Sequence, residues 1–239
     1  GIWGIIAYRK QVQRGEIQEE KPYQINSSSC GTRKSRLPSG IRLFRGLWKG
    51  ASLMRIQAAV VEEKGQDFRI VDMELDPPKA GEVLVKVTAC GVSHTDDVAR
   101  NQLAPVPLPA VFGHEGCGVI EQVGFGVTGF QPGDRVGFSY GYCGHCEACR
   151  TGKPYGCKDN YSLNFGGLAV SSFFGQAAFA THSVVHVNNL IPAPDDVPLE
   201  LIGPLGCGIQ TGAGAIFNYL HPEPDAAIIV TGCGPVGLS

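Results

Sequence analysis

From Met54 onward, apolar and polar positions alternate in short runs broken by glycine and proline. Ile56 to Val61 and Phe68 to Leu75 are the first two, with a Lys64-Gly65 turn between them. Pro77, Pro78 and Gly81 interrupt the chain before Val83, Val85 and Val87 alternate with Leu84 and Lys86, a strand signature. Further strands are predicted over Gly118 to Val123, Arg135 to Phe138 and Ala177 to Val187, with Gly133-Asp134 as a turn. Many short strands and few long helical periods describe a compact β-rich unit. The pattern changes near residue 207. Ile209 to Leu220 has helical spacing, Pro222 and Pro224 punctuate it, and Ala226 to Val230 is a continuous apolar run that predicts a buried parallel strand. The fold class expected is α/β with a large β-rich part, divided at about 207.

Composition changes the picture at the N-terminus. With 239 residues, 43% of them apolar, the chain has ample material for one or two packed domains. Residues 1–53 carry ten Lys/Arg and three Asp/Glu, whereas residues 54–239 carry ten and nineteen. A basic arm can bind nucleic acid, but this stretch shows no sustained periodicity, and Lys49-Gly-Ala51 can be encoded by a ribosome-binding sequence placed just before Met54. Residues 1–53 are therefore expected to be a non-native, disordered leader, with no nucleic-acid partner. Gly1 to Ala7 is apolar but precedes its positive charges, the reverse of a signal peptide. No run reaches the 18 apolar residues of a membrane span, so a cytoplasmic location is expected.

Chemistry is concentrated in a few places. Cys143, Cys146, Cys149 and Cys157 follow the spacing C-x2-C-x2-C-x7-C. Four thiolates from one short loop close a tetrahedral shell around zinc and leave no position for water. Disulfides fit poorly with nine cysteines and no secretory signal. Ferredoxin clusters begin with the same spacing, but their fourth cysteine follows after three residues and precedes proline, whereas Cys157 precedes Lys158. A structural zinc staple is the reading. Gly232-Cys-Gly234-Pro235-Val236-Gly237, placed after the predicted strand, matches the G-x-G-x-x-G turn that seats a pyrophosphate. Three more islands, Gly91 to Asp97, Gly113 to Gly116 and Pro204 to Gly208, gather polar and metal-ligating residues.

Taken together, these motifs resemble the zinc-dependent medium-chain alcohol dehydrogenases, from Met54 to Ser239. Phe173 to Ala180 and Gly206 to Gly214 look most like the aryl-alcohol (benzyl alcohol) branch. The resemblance implies a GroES-like catalytic domain over 54–207 with two zinc sites, followed at 208–239 by the truncated start of a Rossmann NAD-binding domain. It implies hydride transfer from a primary aromatic or allylic alcohol to NAD, with zinc lowering the pKa of the alcohol oxygen. The substrate partner is then a small alcohol or aldehyde, the whole enzyme is a homo-oligomer, and the 239-residue chain is expected to be inactive without the rest of the cofactor domain.

By motif, His114 and Cys207 match two ligands of the catalytic zinc. The third ligand position, before His94-Thr95-Asp96, holds Ser93. Either zinc is held weakly there, or Glu115 or Cys90 compensates, or the serine is a sequence error. Thr95 matches the hydroxyl that accepts the substrate proton, and Asp96 the carboxylate that orients His114. Glu115 stands behind the metal. His94, Thr211 and Gly232 to Gly237 match positions facing the cofactor. A relay histidine common in the family is replaced by Val98. The rival expectation is a non-catalytic zinc module whose active site is lost at Ser93. A dehydrogenase for aliphatic alcohols is a further alternative.

Overall fold

The structure is a computed structural model that describes residues 53–158 and 170–239. The expected leader over 1–53 lies outside the described residues, apart from Leu53.

Nine strands form two sheets among these residues. The first has the order β2-β1-β4-β7, built from β1 (Met54–Val61), β2 (Arg69–Leu75), β4 (Ala110–Val111) and β7 (Ser171–Ser172). The second has the order β8-β3-β5-β6-β9, from β3 (Glu82–Cys90), β5 (Gly116–Val123), β6 (Arg135–Phe138), β8 (His182–His186) and β9 (Leu190–Pro192). All pairings are antiparallel except β4 with β7.

Strand β3 shows why this architecture is stable. Val83 and Val85 enter one cluster with Val61, Phe112, Ile120, Val136 and Phe138. Leu84, on the opposite face, enters a second cluster with Ile56, Val111 and Val184. Both faces of the strand are therefore covered over Val83, Leu84 and Val85, whereas Lys86 and Thr88 reach solvent. Removing such side chains from water stabilises by roughly 1.5–3 kcal/mol each.

The strand expected over 177–187 is shorter, since only His182–His186 is extended in a ladder. The helical run over 209–220 is present as α4 (Gly208–Gly214) continued by a π-helical turn at Ala215–Leu220. Residues 226–230 do not form the predicted strand: they have no regular structure and are exposed, with Ile229 at 90%. A parallel strand exists only by pairing, and no described strand runs beside this segment. The sequence pattern also missed α1 (His94–Arg100), whose start is a capping box between Ser93 and Asp96.

Two histidines of β8 give the fold a pH dependence. Burial holds His182 and His186 below the usual histidine range; Lys86 adds to this at His182, while Glu121, 3.4 Å away, acts against it. His186 Nδ1 accepts the Asn188 N–H at 3.2 Å, a bond that needs the unprotonated nitrogen. The folded state thus prefers neutral rings. Their contribution to stability is full above the unfolded value near 6.5 and is lost as pH falls through the lower folded values. The melting temperature should decline as pH drops below about 6.5, and His186→Gln should flatten that decline. Identical slopes for the two proteins would count against this account.

Candidate metal centre and active site

Strand pairing brings two of the three polar islands together. In the β3–β5 ladder Cys90 stands opposite Gly116, and the Gly91 N–H donates to Glu115 O at 3.0 Å. Residues 91–97, leaving β3, therefore lie beside 113–115, entering β5. The third island arrives through α3 (Leu199–Ile202) and the 3-10 turn Gly203–Gly206. Gly203 is packed so closely on Glu115 O that a Cβ there would collide with it. That contact delivers Cys207, the residue after the turn, to His114.

His114 is fully buried, and its Nε2 lies 3.3 Å from Cys207 Sγ. Nδ1 is 3.3 Å from Asp96 Oδ1, which also accepts the Gly113 N–H at 3.0 Å. Asp96 Oδ2 accepts the Ser93 N–H at 3.1 Å. One buried carboxylate thus ties the loop after β3, the start of β5 and the imidazole together. The donor atoms of His114, Glu115 and Cys207 all lie within 4.8 Å of one another. Burial disfavours the charged imidazole, but the bonds to Asp96 and Cys207 outweigh it and raise His114 to about 9. Burial likewise pushes the Glu115 carboxyl up from its ordinary value.

Aromatic rings wall this cluster. The centroids of Phe173 and Phe174 stand 5.5 and 5.2 Å from the His114 ring, and Tyr140 packs edge-on against Phe174 at 4.9 Å. Tyr140 Oη donates to Cys207 Sγ at 3.6 Å. The sequence reading used Phe173 and Phe174 only as a family signature and did not select Tyr140. An aromatic residue shortly before the first cysteine of the loop was the available signal.

The remaining predicted residues are placed as follows. Ser93 is the N-cap of α1, and its Oγ accepts the Thr95 N–H at 3.3 Å. His94 is exposed and Thr95 is half-buried at the start of the same helix. Thr211 Oγ1 donates to Cys207 O at 2.7 Å on α4. Gly232, Gly234, Pro235, Val236 and Gly237 form an exposed turn and the short helix α5 (Pro235–Leu238). Pro235 lies against Gly208, where a Cβ would stand 2.7 Å from its ring, so this turn sits next to the residue that follows Cys207.

The four-cysteine loop contains α2 (Glu147–Arg150) and a 3-10 turn at Pro154–Gly156. Sγ–Sγ separations are 3.8 Å for Cys143–Cys149, 3.5 Å for Cys146–Cys149 and 3.9 Å for Cys146–Cys157. Four sulfurs at the zinc–thiolate distance of ~2.3 Å define a tetrahedron with edges of ~3.8 Å, so this loop fits zinc. Backbone N–H groups of Cys143 and Cys146 donate to Cys157 Sγ and Cys143 Sγ, both at 3.3 Å. A backbone N–H bond from Cys149 favours the Cys146 thiolate and brings it down to about 6. All eight cysteines among the described residues are free.

A family model described as the alcohol dehydrogenase GroES-like domain matches residues 79–195. The chain is 45% identical over 198 residues to the geraniol dehydrogenase of Castellaniella defragrans, a match covering 77% of this chain and 53% of the relative. It is 36% identical over 201 residues to the S-(hydroxymethyl)glutathione dehydrogenase of Escherichia coli, covering 78% and 54%. Among solved structures, the benzyl alcohol dehydrogenase of Acinetobacter calcoaceticus superposes with a TM-score of 0.74 at 49% identity, covering 78% of this chain and 54% of that one. The chain spans about half the length of the curated relatives it matches. Its two-sheet fold, its cysteine loop and its sequence agree: the chain belongs to the zinc-dependent medium-chain alcohol dehydrogenase family.

Proposed function

We propose that residues 54–207 are the GroES-like catalytic unit, and residues 208–239 part of the nucleotide-binding unit, of an NAD-dependent dehydrogenase for primary aromatic or allylic alcohols. The observation that carries this reading is the cluster of buried His114 and Glu115 with half-buried Cys207, walled by Tyr140, Phe173 and Phe174. Metal-ligating donors beside apolar, aromatic side chains suit a flat unsaturated substrate with a reacting hydroxyl at one end. The names of two relatives are compatible with it: geraniol is an allylic alcohol and benzyl alcohol an aromatic one.

Each residue then has a part. Asp96 holds the Nδ1–H of His114, which turns Nε2 toward the ion. Cys207 supplies a thiolate. Thr95 accepts the proton lost by the substrate, and with Val98 in place of a relay histidine that proton leaves through water. Phe173, Phe174 and Tyr140 exclude water from the reacting end. When bound, zinc supplies the Lewis acidity that makes an alcohol proton easier to lose, and NAD supplies the hydride acceptor. His94, Thr211 and the Gly232–Gly237 turn are the proposed contacts to that cofactor. The four-cysteine loop takes a structural zinc and no substrate.

The test is NAD reduction by the protein of the whole reading frame, loaded with zinc, across benzylic, allylic and short aliphatic alcohols. Benzylic and allylic substrates should exceed ethanol in kcat/KM by ~10–100-fold, from about 1.5–3 kcal/mol of apolar burial against these aromatic rings. No reduction of NAD by any member, or a preference for ethanol, overturns the reading.

A further inference from the structure

We infer that the second metal site of this chain takes its third ligand from the Glu115 carboxylate, giving a His114–Glu115–Cys207 set in which neither Ser93 nor Cys90 takes part. This rests on the zinc-dependent reading above and specifies which atoms hold the ion.

Three observations converge on Glu115. Its carboxylate is buried at 5% exposure and lies within 4.8 Å of the donors of both His114 and Cys207. Glu115 Oε1 lies beside the residue that follows Cys207, 3.8 Å from where a Cβ on Gly208 would stand. The chain also makes room for it at Gly91, where any Cβ would collide with Glu115 Oε2.

The two rivals are otherwise engaged. Ser93 Oγ accepts the Thr95 N–H and its backbone N–H donates to Asp96, so the residue acts as the cap of α1. A serine hydroxyl also loses its proton far less readily than a thiol and is a poor zinc donor. Cys90 Sγ donates to Gly91 O and belongs to the main apolar cluster with Val85 and Phe138. Charge supports the same set. His, Glu and Cys together bring two negative charges, as many as one histidine with two thiolates, so the dication remains neutralised. With Ser93 as third ligand, only one charge would be supplied.

Counting zinc in the purified 239-residue chain tests this, by native mass spectrometry with a competing chelator to obtain the affinities. The unaltered chain should hold two ions. Glu115→Gln should keep the four-cysteine ion, which doubles as a folding control, and weaken the second by more than the ~100-fold typical of losing an outer-shell partner. Ser93→Ala and Cys90→Ala should both keep two. If Glu115→Gln does not fold, cobalt titration of the unaltered chain decides instead: the second equivalent should add the sulfur-to-metal absorption of one thiolate. Two ions held with unchanged affinity in Glu115→Gln, loss of the second ion in Ser93→Ala or Cys90→Ala, or a two-thiolate band overturns the inference but leaves the dehydrogenase reading standing. A single ion in the unaltered chain overturns both.

Discussion

Replacing Cys146 with serine should remove one zinc equivalent and open the 140–158 loop to proteases while the β-sheets stay folded. The reason lies in what holds this loop. Its only regular elements are a four-residue helix and one 3-10 turn, and Tyr155 is 86% exposed. None of its side chains enters the apolar cluster that includes Val83, Phe112 and Phe138. The sulfurs and the backbone N–H groups that point at them are the loop's main tether. Structural zinc binding is folding free energy for the segment that binds it. Its loss should cost at least ~3 kcal/mol of local stability, read as an increase on the order of 100-fold in cleavage rate within the loop. An unchanged zinc count, or an unchanged cleavage rate with the zinc lost, would rule out the staple role.

Asp96→Ala should be the most damaging single change at the candidate active site. The carboxylate is 1% exposed and serves the Ser93 N–H, the Gly113 N–H and His114 Nδ1. Its removal strands two backbone donors, at about 1–3 kcal/mol each, in a protein whose whole stability is typically about 5–15 kcal/mol. It also releases the imidazole, so the second zinc should bind ~10–100-fold more weakly. Asp96→Asn separates the two effects. The amide keeps the volume but presents N–H where an acceptor is needed, so metal affinity should fall as well. Calorimetric melting together with zinc titration of both variants reads the two losses. A melting temperature within a degree or two of the unaltered protein for Asp96→Ala would sink the account, since ~1 kcal/mol shifts a domain of this size by about 2–4 °C.

The cysteine loop was legible because its ligands are neighbours in sequence: C-x2-C-x2-C-x7-C is a local constraint, and local spacing is what a sequence displays. Strands β1, β2, β3, β5 and β6 were legible for a similar reason, short runs of strand-forming residues bounded by glycine and proline being a local signal. The two-residue strands β4 and β7 carry too few positions to show a period. Ala226 to Val230 misled because an apolar run records a tendency to be buried, whereas a ladder needs a partner.

His114, Cys207 and Asp96 were recognisable one by one, through motifs alone. That they meet was decided by the tertiary structure: the β3–β5 register sets Gly91 against Glu115, and the close seat of Gly203 on Glu115 O brings Cys207 within 3.3 Å of the imidazole. The choice among Ser93, Cys90 and Glu115 lay beyond the reach of sequence for the same physical reason. All three side chains have a donor atom, and only position in space says which donor is occupied as a helix cap, which is sunk in the core, and which is aimed at the partners.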